Sequence, residues 1–213
     1  MKVGILGGTG SAGRGLARRL AVAGHEVQLG SRDPEKARAT AEKLGGGSIG
    51  GGSNLEAASF GEVVVLAVPW DSVHATLAAT EEELAGRILL SMANALVMID
   101  GEPEPVVPPS GSLALGAQAQ LPRSHVVAAL HHVPARELEK ADAELDFDVL
   151  TCGDHRPSLD TVAALINSIR GLRAIDAGGL VNASAIEALT PVLIGLNLRH
   201  RARTGIKING LPV

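Results

Sequence analysis

VGILGGTGSAGRGLARRLAVAG, residues 3–24, decides the fold. Residues 3–6 are an uninterrupted short apolar run, which predicts a strand buried on both faces. Residues 13–23 carry helical spacing and stop at Gly24, a natural helix terminator. Between them stands a Gly-x-Gly-x-x-Gly pattern at Gly8, Gly10 and Gly13. With 26 glycines in the chain the pattern alone says little. Its place between a strand and a helix makes an ordinary glycine-rich turn the weaker explanation. Gly8 would permit the tight turn, Gly10 would let backbone approach a pyrophosphate, and Gly13 would let the helix pack on the strand. The first turn of that helix offers unpaired N–H groups and a positive dipole end to phosphate. A dinucleotide site opening an α/β sheet is the expectation.

Working outward, residues 26–29 predict the second strand, followed by Gly30-Ser31-Arg32 and then Asp33-Pro34. An NAD site would place a carboxylate on the ribose 2′-hydroxyl about 20 residues past the glycines. Here the first acid is Asp33, which is better explained as the cap of a helix whose first turn holds Pro34. Arg32 offers a guanidinium fork to a 2′-phosphate, Ser31 a hydroxyl and Lys36 a second positive charge. NADP is therefore the expected dinucleotide.

That second helix should run to Leu44, followed by glycine-rich residues 45–52 around a very short strand at Ser48-Ile49. Asn54 would cap a helix over residues 55–58. Strands are expected at 63–68, 88–91, 125–130, 149–152 and 172–176, and helices at 72–84 and 157–169, with a long helix from Val181. The proline-rich residues 101–111 read as a loop that could close over a site. Alternating strands and helices imply right-handed crossovers, hence a Rossmann-type, doubly wound, mostly parallel α/β sheet. Residues 1–150 would form the NADP-binding domain and 151–213 a small C-terminal α/β extension, with one continuous domain as the alternative.

Composition narrows the class further. The chain has 213 residues, 46% hydrophobic, but its only aromatics are Phe60, Trp70 and Phe147. Such a core of small and branched aliphatics suits strands covered on both faces. A net charge of -4 argues against nucleic acid, whose phosphates need a basic surface. The lone Cys152 cannot form an internal disulfide, and no signal peptide precedes the first strand, so a reducing cytoplasm is expected. Residues 179–198 are apolar but contain Asn182, Glu187, Pro191 and Asn197, so no membrane span is expected. Adjacent His131 and His132 would point to opposite faces and have no ligand cluster around them, so no metal site is expected.

Taken together the motifs resemble the NADPH-dependent reductases of the deazaflavin coenzyme F420. The resemblance runs through GGTGSAGRGLA at residues 7–17, LGSR at 29–32, AVPW at 67–70 and ALHHVPA at 129–135. It continues with FDVLTCGD at 147–154, GLRAIDAG at 171–178, EALTPVL at 187–193 and GIK at 205–207. It implies reversible hydride transfer between NADP(H) and coenzyme F420, with the reactive atoms carried by the two ligands. Thr9, Gly10, Ser11, Ala12, Ser31, Arg32 and Lys36 would then hold the adenosine phosphate end. Val68, Pro69 and Trp70 would end a central strand at the ligand crevice, with Ala93, Asn94 and Ala135 at comparable positions after later strands. His131 and Val133, with Pro191, Val192 and Leu193, would wall the deazaflavin pocket, Pro191 kinking its helix toward it. Asn94-Ala95-Leu96 departs from relatives that have proline after the asparagine. No acid–base or covalent catalyst is expected. The apolar C-terminal helix suggests a homodimer. Two rivals remain at this point: an NADP-dependent ferric, flavin, imine or keto-acid reductase, and a non-catalytic NADP sensor.

Overall fold

The computed structural model describes residues 1–141 and 143–211. Its strands are β1 (Lys2–Leu6), β2 (Glu26–Ser31), β3 (Ile49–Ser53), β4 (Val63–Leu66), β5 (Ile88–Ser91), β6 (Leu96–Ile99), β7 (Glu102–Pro105), β8 (His125–Ala128), β9 (Phe147–Gly153) and β10 (Leu172–Asp176). The helices are α1 (Ser11–Val22), α2 (Pro34–Lys43), α3 (Asn54–Phe60), α4 (Val73–Ala79), α5 (Glu81–Leu84), α6 (Leu113–Gln120), α7 (Ala135–Leu138), α8 (Arg156–Asn167) and α9 (Ala183–His200). Eight strands form one sheet in the order β10-β9-β8-β5-β4-β1-β2-β3. From β3 to β8 every pairing is parallel, and chain order reverses direction at β1 and β4. β9 joins β8 antiparallel, through Val127↔Gly153 and Ala128↔Cys152, and β10 lies parallel to β9. The expected doubly wound, mostly parallel α/β sheet is what the chain forms, and its C-terminal strands extend that same sheet.

Successive residues of a strand face opposite sides, so Val63 and Val65 join one core while Val64 and Leu66 join the other. The first core takes Leu16 and Leu20 of α1, Leu138 of α7 and Val162 of α8. The second takes Ala57 of α3, Leu77 of α4, Leu113 of α6 and Ile186 of α9. Helices on both sheet faces leave the ends of β1 and β4 as a crevice, the usual ligand position in such sheets.

Several local expectations are corrected. The third strand is Ile49–Ser53, on the glycines themselves and not at Ser48-Ile49. Ser53 caps α3 in a capping box with Glu56, which leaves Asn54 as the first helical residue. The fourth strand stops at Leu66, and the predicted 72–84 helix is a 3-10 turn, Trp70–Ser72, followed by α4 and α5. β8 ends at Ala128, with Leu130 beyond it in the left-handed region at φ 67°. Residues 102–105 belong to a β6–β7 hairpin within the expected loop, and α6 and α7 were not anticipated. α9 runs from Ala183 to His200 with Pro191 inside it. Leu180–His200 is long and apolar enough to cross a membrane, but α9 buries Ile186, Glu187 and Thr190 within this fold.

Candidate active site

The turn between β1 and α1 is built by four glycines in different ways. Gly7, not Gly8, adopts the left-handed conformation, at φ 72°, and its carbonyl accepts the Gly10 N–H at 3.1 Å. Its own N–H donates to Asn54 Oδ1 at 3.2 Å, so the first turn of α3 steadies the loop. Gly8 and Gly13 are packing glycines. A Cβ on Gly13 would sit 2.7 Å from the Gly8 Cα, and one on Gly8 2.8 Å from the Leu29 side chain. The Gly8 N–H donates to the carbonyls of Ile5 and Gly30. Gly10 differs. A Cβ there would meet only the Gly7 oxygen, at 3.5 Å, so the protein itself leaves room for one.

That room opens into a cavity of about 700 Å³. Gly10 is the N-cap of α1 and no side chain caps the helix, whereas Asp33, Ser53 and Ser112 cap α2, α3 and α6. The first-turn amides of α1, which have no partner within the helix, therefore suit an anion. Thr9, Ser11 and Ala12 line this end, and Ser31, Arg32 and Lys36 line the next wall. The Arg32 and Lys36 side chains are exposed, and neither has a charged partner among the described residues. Asp33 accepts the Lys36 N–H at 3.1 Å as the cap of α2. A wall with two cations and a committed acid fits a 2′-phosphate better than a bare hydroxyl. Of the other residues predicted to hold NADP, Val68, Pro69, Trp70 and Asn94 line this cavity and Gly8, Gly13 and Ala135 do not, while Asn54, Thr76 and Met92 line it unpredicted.

A second cavity of about 230 Å³ adjoins the first, and Ala12, Met92, Asn94 and Leu96 line both. The predicted residues His131, Val133 and Leu193 line the smaller space, and Ala135 lies here and not in the larger one. Pro191 is buried and Val192 is 56% exposed, and both lie off the lining. The wall from α9 consists instead of Thr190, Leu193, Ile194 and Asn197, with Thr204 from the C-terminal tail. Spacing along a helix decides this: residues three and four apart share a face, while Val192 points away.

The His131 ring is fully buried, and neither ring nitrogen has a hydrogen-bond partner among the described residues. Burial, and then the neighbouring His132, push its pKa down to about 3, so the ring is neutral. Its carbonyl accepts from Asn94 Nδ2 at 3.1 Å and from Thr190 Oγ1 at 3.0 Å. His132 faces elsewhere, with Nε2 3.0 Å from the Asp148 carbonyl. Cys152 is buried, and burial pushes its thiol up to about 12, which makes it a poor nucleophile. Among the described residues no group of three or more His, Cys, Asp or Glu could hold a metal ion.

Two arginines of α1, one half-buried and one buried, fasten it to α7 and the residues after it, and sequence reading missed both. Arg14 donates to the Thr9 carbonyl at 2.8 Å and to Glu139 at 2.6 Å. Arg19 is buried and donates to the carbonyls of Glu137, Leu138, Lys140 and Ala143. In sequence both are ordinary cations of an amphipathic helix, and, Thr9 apart, these partners lie more than a hundred residues away.

Residues 2–95 match the family model described as NADP oxidoreductase, coenzyme F420-dependent. Over its whole length the chain is 39% identical to the whole F420-dependent NADP reductase of Methanocaldococcus jannaschii. It is 41% identical to that of Methanothermobacter marburgensis, again over all of both chains. A crystal structure from Arthrobacter sp. FB24, described as a candidate F420-dependent NADP-reductase, superposes with a TM-score of 0.85 at 32% identity, covering 98% of this chain and 99% of that one.

Proposed function

The chain belongs to the F420-dependent NADP reductase family, and on that premise we propose how its two cavities divide the reaction. The protein is an oxidoreductase that transfers a hydride reversibly between NADP(H) and coenzyme F420. The hydride passes between the nicotinamide C4 and the deazaflavin C5, so the ligands supply the redox chemistry. In our reading the larger cavity holds NADP. The α1 amides and Thr9, Ser11 and Ala12 take the pyrophosphate, and Ser31, Arg32 and Lys36 take the 2′-phosphate. The smaller cavity holds the deazaflavin ring between Val133, Ala135 and Leu193.

The observation that carries this assignment is the shared wall. Ala12, Met92, Asn94 and Leu96 border both cavities, so two flat ligands seated in them would meet edge to edge or face to face there. Clamping two reactants at contact distance is worth much of the barrier by itself. The residues at the wall have no acid–base work to do. The test is isotopic. Deuterium at the transferring position of NADPH should arrive at C5 of the reduced deazaflavin. Label appearing mainly in solvent overturns direct transfer.

We further propose a homodimer in the cytoplasm. The free Cys152 suits a reducing compartment. Met98, Val192 and Leu198 are each more than half exposed, large apolar side chains that a second copy would cover. Sedimentation should report twice 21.8 kDa, and a species of 21.8 kDa at micromolar concentration refutes the dimer.

A further inference from the structure

α9 brings a carboxylate beneath the smaller cavity, behind His131 and off the lining itself. Glu187 is buried, and its two oxygens accept the Leu113 N–H at 2.8 Å and the Ala114 N–H at 3.0 Å. These are first-turn amides of α6, where a carboxylate satisfies orphan donors and the positive end of the helix. The same Oε1 lies 3.9 Å from His131 Nε2. One turn along the same face of α9, Thr190 holds the His131 carbonyl. The preceding Leu130 takes a left-handed backbone that a branched side chain adopts only at a cost. His131 is therefore fixed by its backbone from two sides, while its ring makes no hydrogen bond among the described residues and has the Glu187 carboxylate 3.9 Å away.

A neutral imidazole carries a single proton, and its two tautomers differ in which nitrogen donates. Beside a carboxylate the nitrogen must carry the proton, because two facing lone pairs repel. We propose that Glu187 is a positioning residue for His131: pinned on the amides of α6, its carboxylate holds the Nε2–H tautomer and leaves Nδ1 as an acceptor. The ring has no exposed surface, so Nδ1 stays an acceptor inside the protein, and the pairing reaches a ligand only through the part of His131 that lines the smaller cavity. The kinetic expectation below rests on reading that cavity as the deazaflavin site, whereas the tautomer does not.

The tautomer is read directly by two-bond proton–nitrogen correlation spectra of full-length protein labelled with ¹⁵N-histidine. The His131 signals are assigned by their loss in His131→Gln. Wild-type protein should show a protonated Nε2 and an unprotonated Nδ1 between pH 5 and 8. A protonated Nδ1, or an imidazolium, in the wild-type spectrum overturns the proposal. In Glu187→Gln the amide can keep one oxygen on α6 and turn its NH₂ toward the ring, so the tautomer should invert. Unchanged His131 signals in folded Glu187→Gln also overturn it. Kinetically, Glu187→Gln should raise the KM for the deazaflavin about tenfold with NADP affinity within about twofold. Equal losses for both ligands mean a structural brace and refute positioning. The expected tautomer with an unmoved deazaflavin KM supports the pairing and sinks the assignment of the cavity instead.

Discussion

Gly10 and Gly13 are the same residue type three positions apart, and they answer different demands. Gly13 is required by the protein, since its Cβ would strike the Gly8 backbone. Gly13→Ala should therefore lower stability by about 1–3 kcal/mol, the usual cost of overpacking. Gly10 has room for a Cβ and an ordinary backbone, so Gly10→Ala should leave the melting temperature nearly unchanged and weaken NADP by filling the cradle. Thermal melts and NADP titration on both variants check this, and a Gly10→Ala protein that binds NADP normally would remove the pyrophosphate from that turn. Arg32 tests the other end of the dinucleotide. Arg32→Ala should cost NADP about 2 kcal/mol, one charge-assisted interaction, or roughly thirtyfold in affinity, and leave NAD almost unaffected. Equal losses for the two dinucleotides would place 2′-phosphate recognition elsewhere.

Elements were legible in the sequence wherever one period or one cap dominated. The strand at 88–91 and the strand at 172–176 were read at their observed bounds, and Asp33-Pro34 announced α2. β3 was misplaced because Gly50, Gly51 and Gly52 carry no strand signal of their own. They serve because α2 lies against the strand, where a Cβ on Gly51 would collide with the Ala37 backbone. α6 was invisible because LALGAQAQ is short and has no clear polar face. The β6–β7 hairpin did announce itself, through Asp100-Gly101 at positive φ, a pair suited to a two-residue hairpin loop. The neighbouring prolines drew the reading toward a loop instead. What no local pattern could carry is the fastening of α7. Arg19 on α1 donates to four carbonyls between Glu137 and Ala143, and this segment brings Ala135 to the smaller cavity. Arg19→Met should leave buried carbonyls unpaired, at about 2–4 kcal/mol. Amide exchange should accelerate in residues 135–141 well beyond the change in the central strands. Uniform acceleration would show that α7 has no separate dependence on Arg19.

At the scale of the whole molecule, Asp148 joins three parts that lie far apart in sequence. Its carbonyl faces His132 at the floor of the smaller cavity, and its N–H donates to Ile206 in the C-terminal tail at 2.8 Å. Its buried carboxylate accepts from Arg173 of β10 at 2.8 and 2.7 Å and from the Ile208 N–H at 2.6 Å. The tail so clamped carries Thr204, which hydrogen-bonds Asn197 of α9 and lines the cavity. The Arg173 hydrogen bonds, and then the Ile208 amide, hold the Asp148 pKa down at about 2. A carboxyl depressed in the folded state binds its proton more readily when unfolded, near pH 4. Its stabilisation is therefore complete above about pH 4 and is lost as pH falls from there through about 2. Asp148→Asn removes one partner of a buried ion pair, which typically costs about 3 kcal/mol, and it also removes this titration. Melting temperature followed from pH 7 down to pH 2 should start lower in Asp148→Asn and fall less steeply below pH 4, so that the two curves converge in acid. Parallel curves would mean that the clamp does not depend on the charge of Asp148. If the clamp does hold the cavity, the deazaflavin KM of the variant should rise at pH 7 while NADP affinity stays near wild type, because the tail touches only the smaller of the two cavities.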